Sequence, residues 1–172
     1  MFKHVFDLDN TLVFTDNLNS EAYNHALSVL GREPIFDVGR ITREVVYSKH
    51  RLSEHEKNIL VKTKQKYFLD NIGKIKVNED LVNLLLSLSS SECVLWTSAD
   101  ECRVKAILDY LKLSDAFTLV FYSKKTNIKA DAESVCQYFQ CSKSQLKFYE
   151  DDAKVMNELK LLGICNILKV YQ

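Results

Sequence analysis

The pattern of hydrophobic and polar residues divides the 172-residue chain into two kinds of segment. Short apolar runs predict strands at 3–8, 93–96, 117–122, 146–149 and 164–170. From residue 78 onward, stripes of apolar residues with helical spacing fill the intervals between these runs. Strands that alternate with helices of this length are typical of a parallel sheet with helices on both faces, so we predict an α/β, doubly wound core.

The segment between the first two strands has a different pattern, which is more polar and helical throughout. Its apolar spacing predicts helices at 17–30, 40–50 and 53–71. Gly31 stands where a helix C-cap belongs, and Ser53 followed by Glu56 matches a capping box. Because the segment has no strand signal, we predict a helical cap subdomain at 16–75, inserted into a core domain formed by 1–15 and 76–172.

Composition narrows the possible functions. The charges balance, with 23 Lys+Arg against 23 Asp+Glu, which argues against a protein that binds nucleic acid by neutralising phosphates. No apolar run reaches the ~20 residues that span a bilayer, and the N-terminus lacks the apolar region of a signal peptide, so no membrane partner is expected. The five cysteines show no paired CxxC spacing, so we expect reduced thiols in a cytoplasmic protein.

Acidic and hydroxyl residues follow several predicted strands, at the edge of a parallel sheet where ligands bind. They are Asp7 and Asp9 after the first strand, Thr97 and Ser98 after the second, and Glu150, Asp151 and Asp152 after the fourth, with Lys124, Lys125 and Lys129 before the fourth. Carboxylates that converge from two strands suit Mg²⁺, which prefers oxygen ligands. A threonine hydroxyl, a lysine and the amides of a helix start suit a phosphoryl group, and Ser98 with Glu101 matches a capping box for that helix.

Four segments resemble, in order, the motifs of the haloacid dehalogenase superfamily. The segment Phe6-Asp7-Leu8-Asp9-Asn10-Thr11-Leu12 is similar to motif I, Val94-Leu95-Trp96-Thr97 to motif II, Lys129-Ala130-Asp131-Ala132 to the KPxP form of motif III, and Phe148-Tyr149-Glu150-Asp151-Asp152 to motif IV. The resemblance implies a Rossmann-like parallel sheet of about five strands in the order 5-4-1-2-3, with a helical C1-type cap inserted after strand 1.

The resemblance also implies an activity, that of a Mg²⁺-dependent phosphatase of a small phosphorylated substrate. Asp7 would be the nucleophile that forms an aspartyl-phosphate, and Asp9 would be the general acid and base. Mg²⁺ would be held by Asp7, by the main-chain carbonyl of Asp9 and by Asp151. The phosphoryl group would be bound by Thr97, Ser98 and Lys129.

The third motif departs from the family pattern. Ala130 and Ala132 stand where the motif has prolines, so Lys124 or Lys125 is an alternative to Lys129 for the phosphoryl-binding lysine. In the fourth motif, Asp152 is expected either to support a metal ligand or to cap a helix N-terminus, rather than to bind the metal itself.

Two other functions are compatible with these residues. A phosphomutase uses the same aspartyl-phosphate chemistry but passes the phosphoryl group to a sugar hydroxyl, and a non-catalytic relative would only bind phosphate. A two-component receiver domain also places Asp, Thr and Lys in a doubly wound fold. It is disfavoured because its phosphoacceptor Asp follows the third strand, where this chain has Tyr122-Ser123-Lys124.

Overall fold

Residues 1–36 and 38–170 are described by the structure, a computed structural model. In this part of the chain the strands are β1 (Lys3–Phe6), β2 (Val13–Phe14), β3 (Lys76–Val77), β4 (Cys93–Thr97), β5 (Leu119–Tyr122), β6 (Leu146–Glu150) and β7 (Ile167–Lys169). The helices are α1 (Asp16–Val29), α2 (Arg43–Lys49), α3 (Glu54–Asp70), α4 (Glu79–Ser87), α5 (Glu101–Leu111), α6 (Ile128–Phe139) and α7 (Ala153–Leu161). Among these helices, none combines the length and the apolar character that crossing a membrane requires.

The chain divides into two units. The core unit consists of Met1–Phe14 and Val77–Gln172, and the insert unit consists of Thr15–Lys76. Each unit has its own cluster of buried apolar side chains. All of the candidate site residues belong to the core unit.

Five strands of the core unit form one parallel sheet in the order β5-β4-β1-β6-β7. β1 lies at its centre, where Val5 pairs with Val94 of β4 and with Phe148 of β6. Counted over these five strands alone, the order is 3-2-1-4-5, which is the predicted order 5-4-1-2-3 seen from the other edge, so the predicted fold is confirmed. The separate two-stranded sheet of β2 and β3 was not predicted, because strands of two residues have no readable periodicity.

The central strands are apolar because both faces of the sheet are covered. Every residue of β4 is buried, as are four of the five residues of β6. Trp96 and Phe148 meet edge to face with their ring centroids 5.7 Å apart, in a cluster that includes Ile128 of α6 and Leu159 of α7. Burial of each large apolar side chain contributes roughly 1.5–3 kcal/mol, which holds these helices on the sheet.

The insert unit contains α1, α2 and α3, and α1 packs against α3. One cluster of buried apolar side chains in this unit consists of Tyr23, Ala26, Leu27, Ile35, Ile41, Val46 and Leu60. The predicted capping box at the start of α3 is confirmed, since Ser53 Oγ accepts from the Glu56 amide at 3.3 Å and the Ser53 amide donates to Glu56 Oε2 at 2.8 Å. Gly31 follows α1 with a φ of +64°, a conformation that glycine adopts without strain.

Two helix starts in the core unit test the predicted caps, with opposite results. Asp152 caps α7, because its Oδ1 accepts from the Lys154 amide at 2.7 Å, as predicted. The capping box predicted at Ser98 is wrong, since Asp100 caps α5 by accepting from the Cys102 amide at 3.1 Å. Aspartate is as good an N-cap as serine, and this one lies directly before the helix.

Candidate active site

The first part of the site is the turn that follows β1. The Asp7 amide donates to the Tyr149 carbonyl at 3.0 Å, which extends the pairing of β1 with β6 by one residue. The Leu8 carbonyl then accepts from three successive amides, those of Thr11, Leu12 and Val13, at 3.0–3.3 Å. These bonds fix a tight turn at the carboxyl edge of the sheet, and both of its carboxylates are largely buried, with Asp7 7% and Asp9 8% exposed.

Lys125, from the loop between β5 and α6, places its ammonium group between two carboxylates of the site. Its Nζ donates to Asp7 Oδ1 at 2.6 Å and to Glu150 Oε2 at 2.7 Å. The side chains are 10% exposed for Lys125, 8% for Asp7 and 2% for Glu150, so these ion pairs are little screened by water. The ammonium therefore joins the ends of β1 and β6.

Burial dominates the electrostatics of this group. Burial is the main reason that the pKa of Asp7 rises to about 7. The charge of Lys125 acts in the opposite direction, whereas the charges of Glu150 and Asp9 raise the pKa further. Burial likewise raises the pKa of Glu150, against the opposing effect of Lys125. For Lys125, burial acts to lower the pKa, but the charges of both carboxylates and its hydrogen bonds to them raise it above its ordinary value. The lysine is thus a permanent cation, whereas Asp7 titrates near neutrality.

Asp9 has a different partner. Arg103 of α5 forms an ion pair with Asp9 through Nη2 and Oδ2, and both side chains are mostly buried. Arg103 lies in the first turn of α5, directly after the β4 edge of the site. It anchors the Asp9 carboxylate beside Asp7 with a second positive charge.

Thr97 ends β4, next to β1 in the sheet, and is 1% exposed. Its Oγ1 accepts from the Ala99 amide at 3.1 Å, and its carbonyl accepts from the Ser123 amide at 3.0 Å. Because the amide uses a lone pair of the hydroxyl, the proton of that hydroxyl is what Thr97 offers to a phosphoryl oxygen. Ser98, the next residue, is exposed and lies between β4 and α5.

A cluster of three carboxylates marks the candidate metal site. One oxygen of each of Asp7, Glu150 and Asp151 lies within 4.8 Å of the others. Glu150 is held at its Oε1 atom, which accepts from the amides of Asp151 and Asp152 at 3.1 Å each. Thr11 Oγ1 lies 3.5 Å from Asp151 Oδ1. Hard oxygen donors that are this close and bear like charges fit Mg²⁺, which binds through a few carboxylates and keeps other positions for water and phosphate.

The structure brings Asp7, Asp9, Thr97 and Asp151 to one edge of the sheet, but it does not place Lys129 there. Lys129 is exposed in the first turn of α6 and lines a surface depression together with Glu158, Leu161 and other residues of α6 and α7. Lys125, which was one of the alternatives, contacts Asp7 instead. Lys125 belongs to the loop between β5 and α6, whereas the motif spacing had indicated Lys129 in α6. The motif spacing alone therefore did not identify the lysine that contacts Asp7.

Glu150 was predicted to lie at this edge of the sheet but was given no role there, and Arg103 was not predicted. Glu150 is the last residue of β6, so it reaches the same edge as Asp7. Arg103 had no signal in the sequence, since an arginine in the first turn of a helix is ordinarily exposed to solvent.

Comparisons with known proteins identify a family and a fold. A family model described as haloacid dehalogenase-like hydrolase matches residues 4–157. No curated protein matches the sequence. A predicted phosphoglycolate phosphatase from Haemophilus somnus superposes with a TM-score of 0.81 at 18% identity, covering 98% of this chain and 84% of that one. A Thermotoga maritima protein provisionally named β-phosphoglucomutase gives a TM-score of 0.76 at 24% identity, covering 100% and 86%. A family IA, variant 3 hydrolase from Entamoeba histolytica gives 0.74 at 16% identity, covering 95% and 81%.

Proposed function

The chain belongs to the haloacid dehalogenase-like hydrolases, as its sequence motifs indicate, and from this premise we propose that it is a Mg²⁺-dependent phosphatase of a small phosphorylated metabolite. The observation that carries the proposal is the convergence, at one edge of the sheet, of a buried carboxylate, a second carboxylate, a hydroxyl and an ammonium group. These groups belong to Asp7, Asp9, Thr97 and Lys125.

Asp7 is the nucleophile of the proposal. A carboxylate oxygen of Asp7 forms a bond to phosphorus while the bond from phosphorus to the substrate oxygen breaks, which leaves an aspartyl-phosphate and an alcohol. The hydrogen bond that the Asp7 amide donates to the Tyr149 carbonyl supports this role, because it fixes the main chain of Asp7 at the end of β1.

Asp9 is the proton donor and acceptor of the proposal. It gives a proton to the departing substrate oxygen in the first step and takes one from the water that attacks the aspartyl-phosphate in the second. The second step releases inorganic phosphate and restores Asp7. The ion pair with Arg103 fixes the carboxylate two residues from the nucleophile in its ionised form, which is the form that accepts a proton in the second step.

Thr97 and Lys125 are the phosphoryl-binding residues of the proposal, through a hydroxyl proton and an ammonium group. Lys125 replaces Lys129 in this role because its ammonium already contacts Asp7. Mg²⁺ would be held by the carboxylates of Asp7, Glu150 and Asp151 and the Asp9 carbonyl. When bound, it would offset the repulsion between the Asp7 carboxylate and an anionic phosphoryl group.

A substrate screen tests the proposal. The purified protein is incubated with Mg²⁺ and p-nitrophenyl phosphate, and then with a panel of phosphorylated sugars, nucleotides and organic acids, with released phosphate as the readout. Asp7→Asn should abolish phosphate release, whereas Asp115→Asn, an exposed aspartate of the core unit, should leave it unchanged. Borohydride added during turnover should convert the acyl phosphate at position 7 to homoserine, which peptide mass spectrometry detects.

Other outcomes identify the alternatives. Interconversion of a hexose 1-phosphate without free phosphate indicates a phosphomutase with the same Asp7 chemistry. Saturable binding of phosphate with no turnover of any compound indicates a binding protein. Full activity in Asp7→Asn rejects the nucleophile, and with it the mechanism.

A further inference from the structure

The main chain at Lys125 has an unusual conformation. Its φ is +53°, in the left-handed region that residues other than glycine, asparagine and aspartate seldom adopt. A lysine that adopts this conformation next to an active site must be held there by its surroundings. The surroundings of Lys125 therefore bear on how its ammonium group reaches Asp7.

Three side chains form a connected set of hydrogen bonds beneath Lys125. Ser123 Oγ accepts from the Lys125 amide at 3.0 Å and donates to Asp131 Oδ2 at 2.5 Å. Trp96 Nε1 donates to the same Asp131 oxygen at 3.2 Å. One carboxylate oxygen of Asp131, near the start of α6, therefore connects Ser123 of the loop with Trp96 near the end of β4.

The same set also contacts the side chain of Lys125. Its Nζ lies 4.5 Å from the centroid of the Trp96 ring, a cation–π distance, while it donates to Asp7 and Glu150. Trp96 is 1% exposed and cannot move without disturbing the sheet core, so its ring is a fixed surface for the ammonium group. Both the amide and the ammonium of Lys125 are thus located by Ser123, Asp131 and Trp96.

We propose that Ser123, Asp131 and Trp96 are positioning residues that set the Lys125 ammonium group over the Asp7 carboxylate. Ser123 fixes the amide in the left-handed turn, Asp131 orients both the Ser123 hydroxyl and the indole, and Trp96 limits how far the ammonium can move. The catalytic consequence rests on the proposed phosphatase function, whereas the placement of Lys125 can be measured without turnover.

The kinetic test compares Ser123→Ala with Ser123→Thr, which keeps the hydroxyl, and with Ser134→Ala. Ser134 is an exposed residue of α6 whose hydroxyl donates to the Ala130 carbonyl, so its removal is a matched loss of one hydroxyl away from the site. A misplacement of about 1 Å can cost roughly 100-fold in rate, so we expect kcat/KM for p-nitrophenyl phosphate to fall about 10- to 100-fold in Ser123→Ala. Ser123→Thr should recover most of it, and Ser134→Ala should match the wild type.

The spectroscopic test uses Trp96, which is the only tryptophan of the chain. Lys125→Met defines the emission of Trp96 without the ammonium group over its ring. In the wild-type background, Ser123→Ala should move the maximum of the Trp96 fluorescence emission toward the maximum of Lys125→Met. In the Lys125→Met background, Ser123→Ala should cause no further shift. This cycle needs no substrate, so it separates the placement of Lys125 from the proposed activity.

The outcomes are distinguishable. The expected cycle together with an inactive wild type supports the positioning role and rejects the phosphatase function. An equal shift from Ser123→Ala in both backgrounds, or a Ser123→Ala protein with wild-type emission and wild-type kcat/KM, overturns the positioning role. If Ser123→Ala fails to fold, Asp131→Asn enters the same cycle, since it removes the charge that orients the Ser123 hydroxyl at nearly constant volume.

Discussion

Replacing Asp7 by Asn should make the Mg²⁺-free protein more stable, although it removes the proposed nucleophile. Burial raises the pKa of Asp7 to about 7, which means that the ionised carboxylate is less favourable in the folded protein than in the unfolded chain. Asn has nearly the same volume and carries no charge. It therefore removes a cost of folding that the wild type bears whenever Asp7 is ionised.

The size and the pH dependence follow from the two pKa values of Asp7. A rise from 3.8 to about 7 corresponds to about 4 kcal/mol at a pH where both states are ionised. We expect about half of this, a gain of about 2 kcal/mol at pH 8, because relaxation of the site and water penetration relieve part of the cost of burying the charge. Between pH 4 and pH 7 Asp7 binds more protons in the folded protein than in the unfolded chain, so the contribution of Asp7 to stability falls as the pH rises. The advantage of Asn should be nearly absent at pH 4 and complete above pH 7.

Urea unfolding in EDTA measures the effect. At pH 8 the unfolding free energy of Asp7→Asn should exceed that of the wild type by about 2 kcal/mol, or about 4–8 °C in Tm for a chain of this size. Added Mg²⁺ should reverse the order, because a ligand that binds only the folded state stabilises it and the variant has lost one carboxylate. Asp115→Asn, an exposed aspartate, is the control and should show neither effect.

The reasoning is refuted if Asp7→Asn is less stable than the wild type in EDTA at pH 8. That result would mean that the ion pair with Lys125 more than offsets the burial of the carboxylate. A gain that is equal at pH 4 and pH 8 would also contradict the argument, since it could not arise from the charge.

Three further predictions concern the partners of the site, the metal and the core. Arg103→Gln should lower kcat at least tenfold and change KM by no more than about threefold, because Asp9 loses the cation that anchors it. The control is Lys105→Gln, at an exposed position of the same helix, which should match the wild type in steady-state kinetics. Dialysis against EDTA should abolish phosphate release and Mg²⁺ should restore it better than Ca²⁺, which prefers more protein ligands at longer distances; activity that survives EDTA would exclude the metal. Phe148→Ala, in a side chain that is 1% exposed, should lower the unfolding free energy by about 3–5 kcal/mol in urea, and a loss below about 1 kcal/mol would show that this core is not tightly packed.

Much of the fold could be predicted from the sequence because its signals are local and repeated. The buried strands are continuous apolar runs, and the helices between them have clear apolar stripes, so the doubly wound sheet was predicted from the pattern itself. The order of its strands was predicted only from the resemblance to the family. The capping box at Ser53 and the N-cap at Asp152 were predicted for the same reason, since a cap is set by residues within one turn. Where two caps competed, at Ser98 and Asp100, the pattern alone did not select the right one.

The candidate site was predictable only in part, because its partners come from distant segments. Asp7, Thr97 and Asp151 could be named because each lies at the carboxyl end of a predicted strand. Lys125 could not be selected among three lysines, since its choice depends on the left-handed turn and on Trp96. Arg103 could not be named at all, because its contact with Asp9 joins residues that are 94 positions apart.

The charges of the site connect its stability to its proposed chemistry. Arg103 pairs with Asp9, and the ammonium of Lys125 pairs with two buried carboxylates, those of Asp7 and Glu150, with the Asp151 carboxylate close to both. Burial is the main cause of the raised pKa values of Asp7 and Glu150, and the neighbouring carboxylates raise both further. A divalent cation bound here would add positive charge beside these carboxylates. The burial that makes the ionised carboxylates costly in the metal-free fold is therefore what would favour such a cation, which would in turn keep Asp7 ionised for attack on phosphorus.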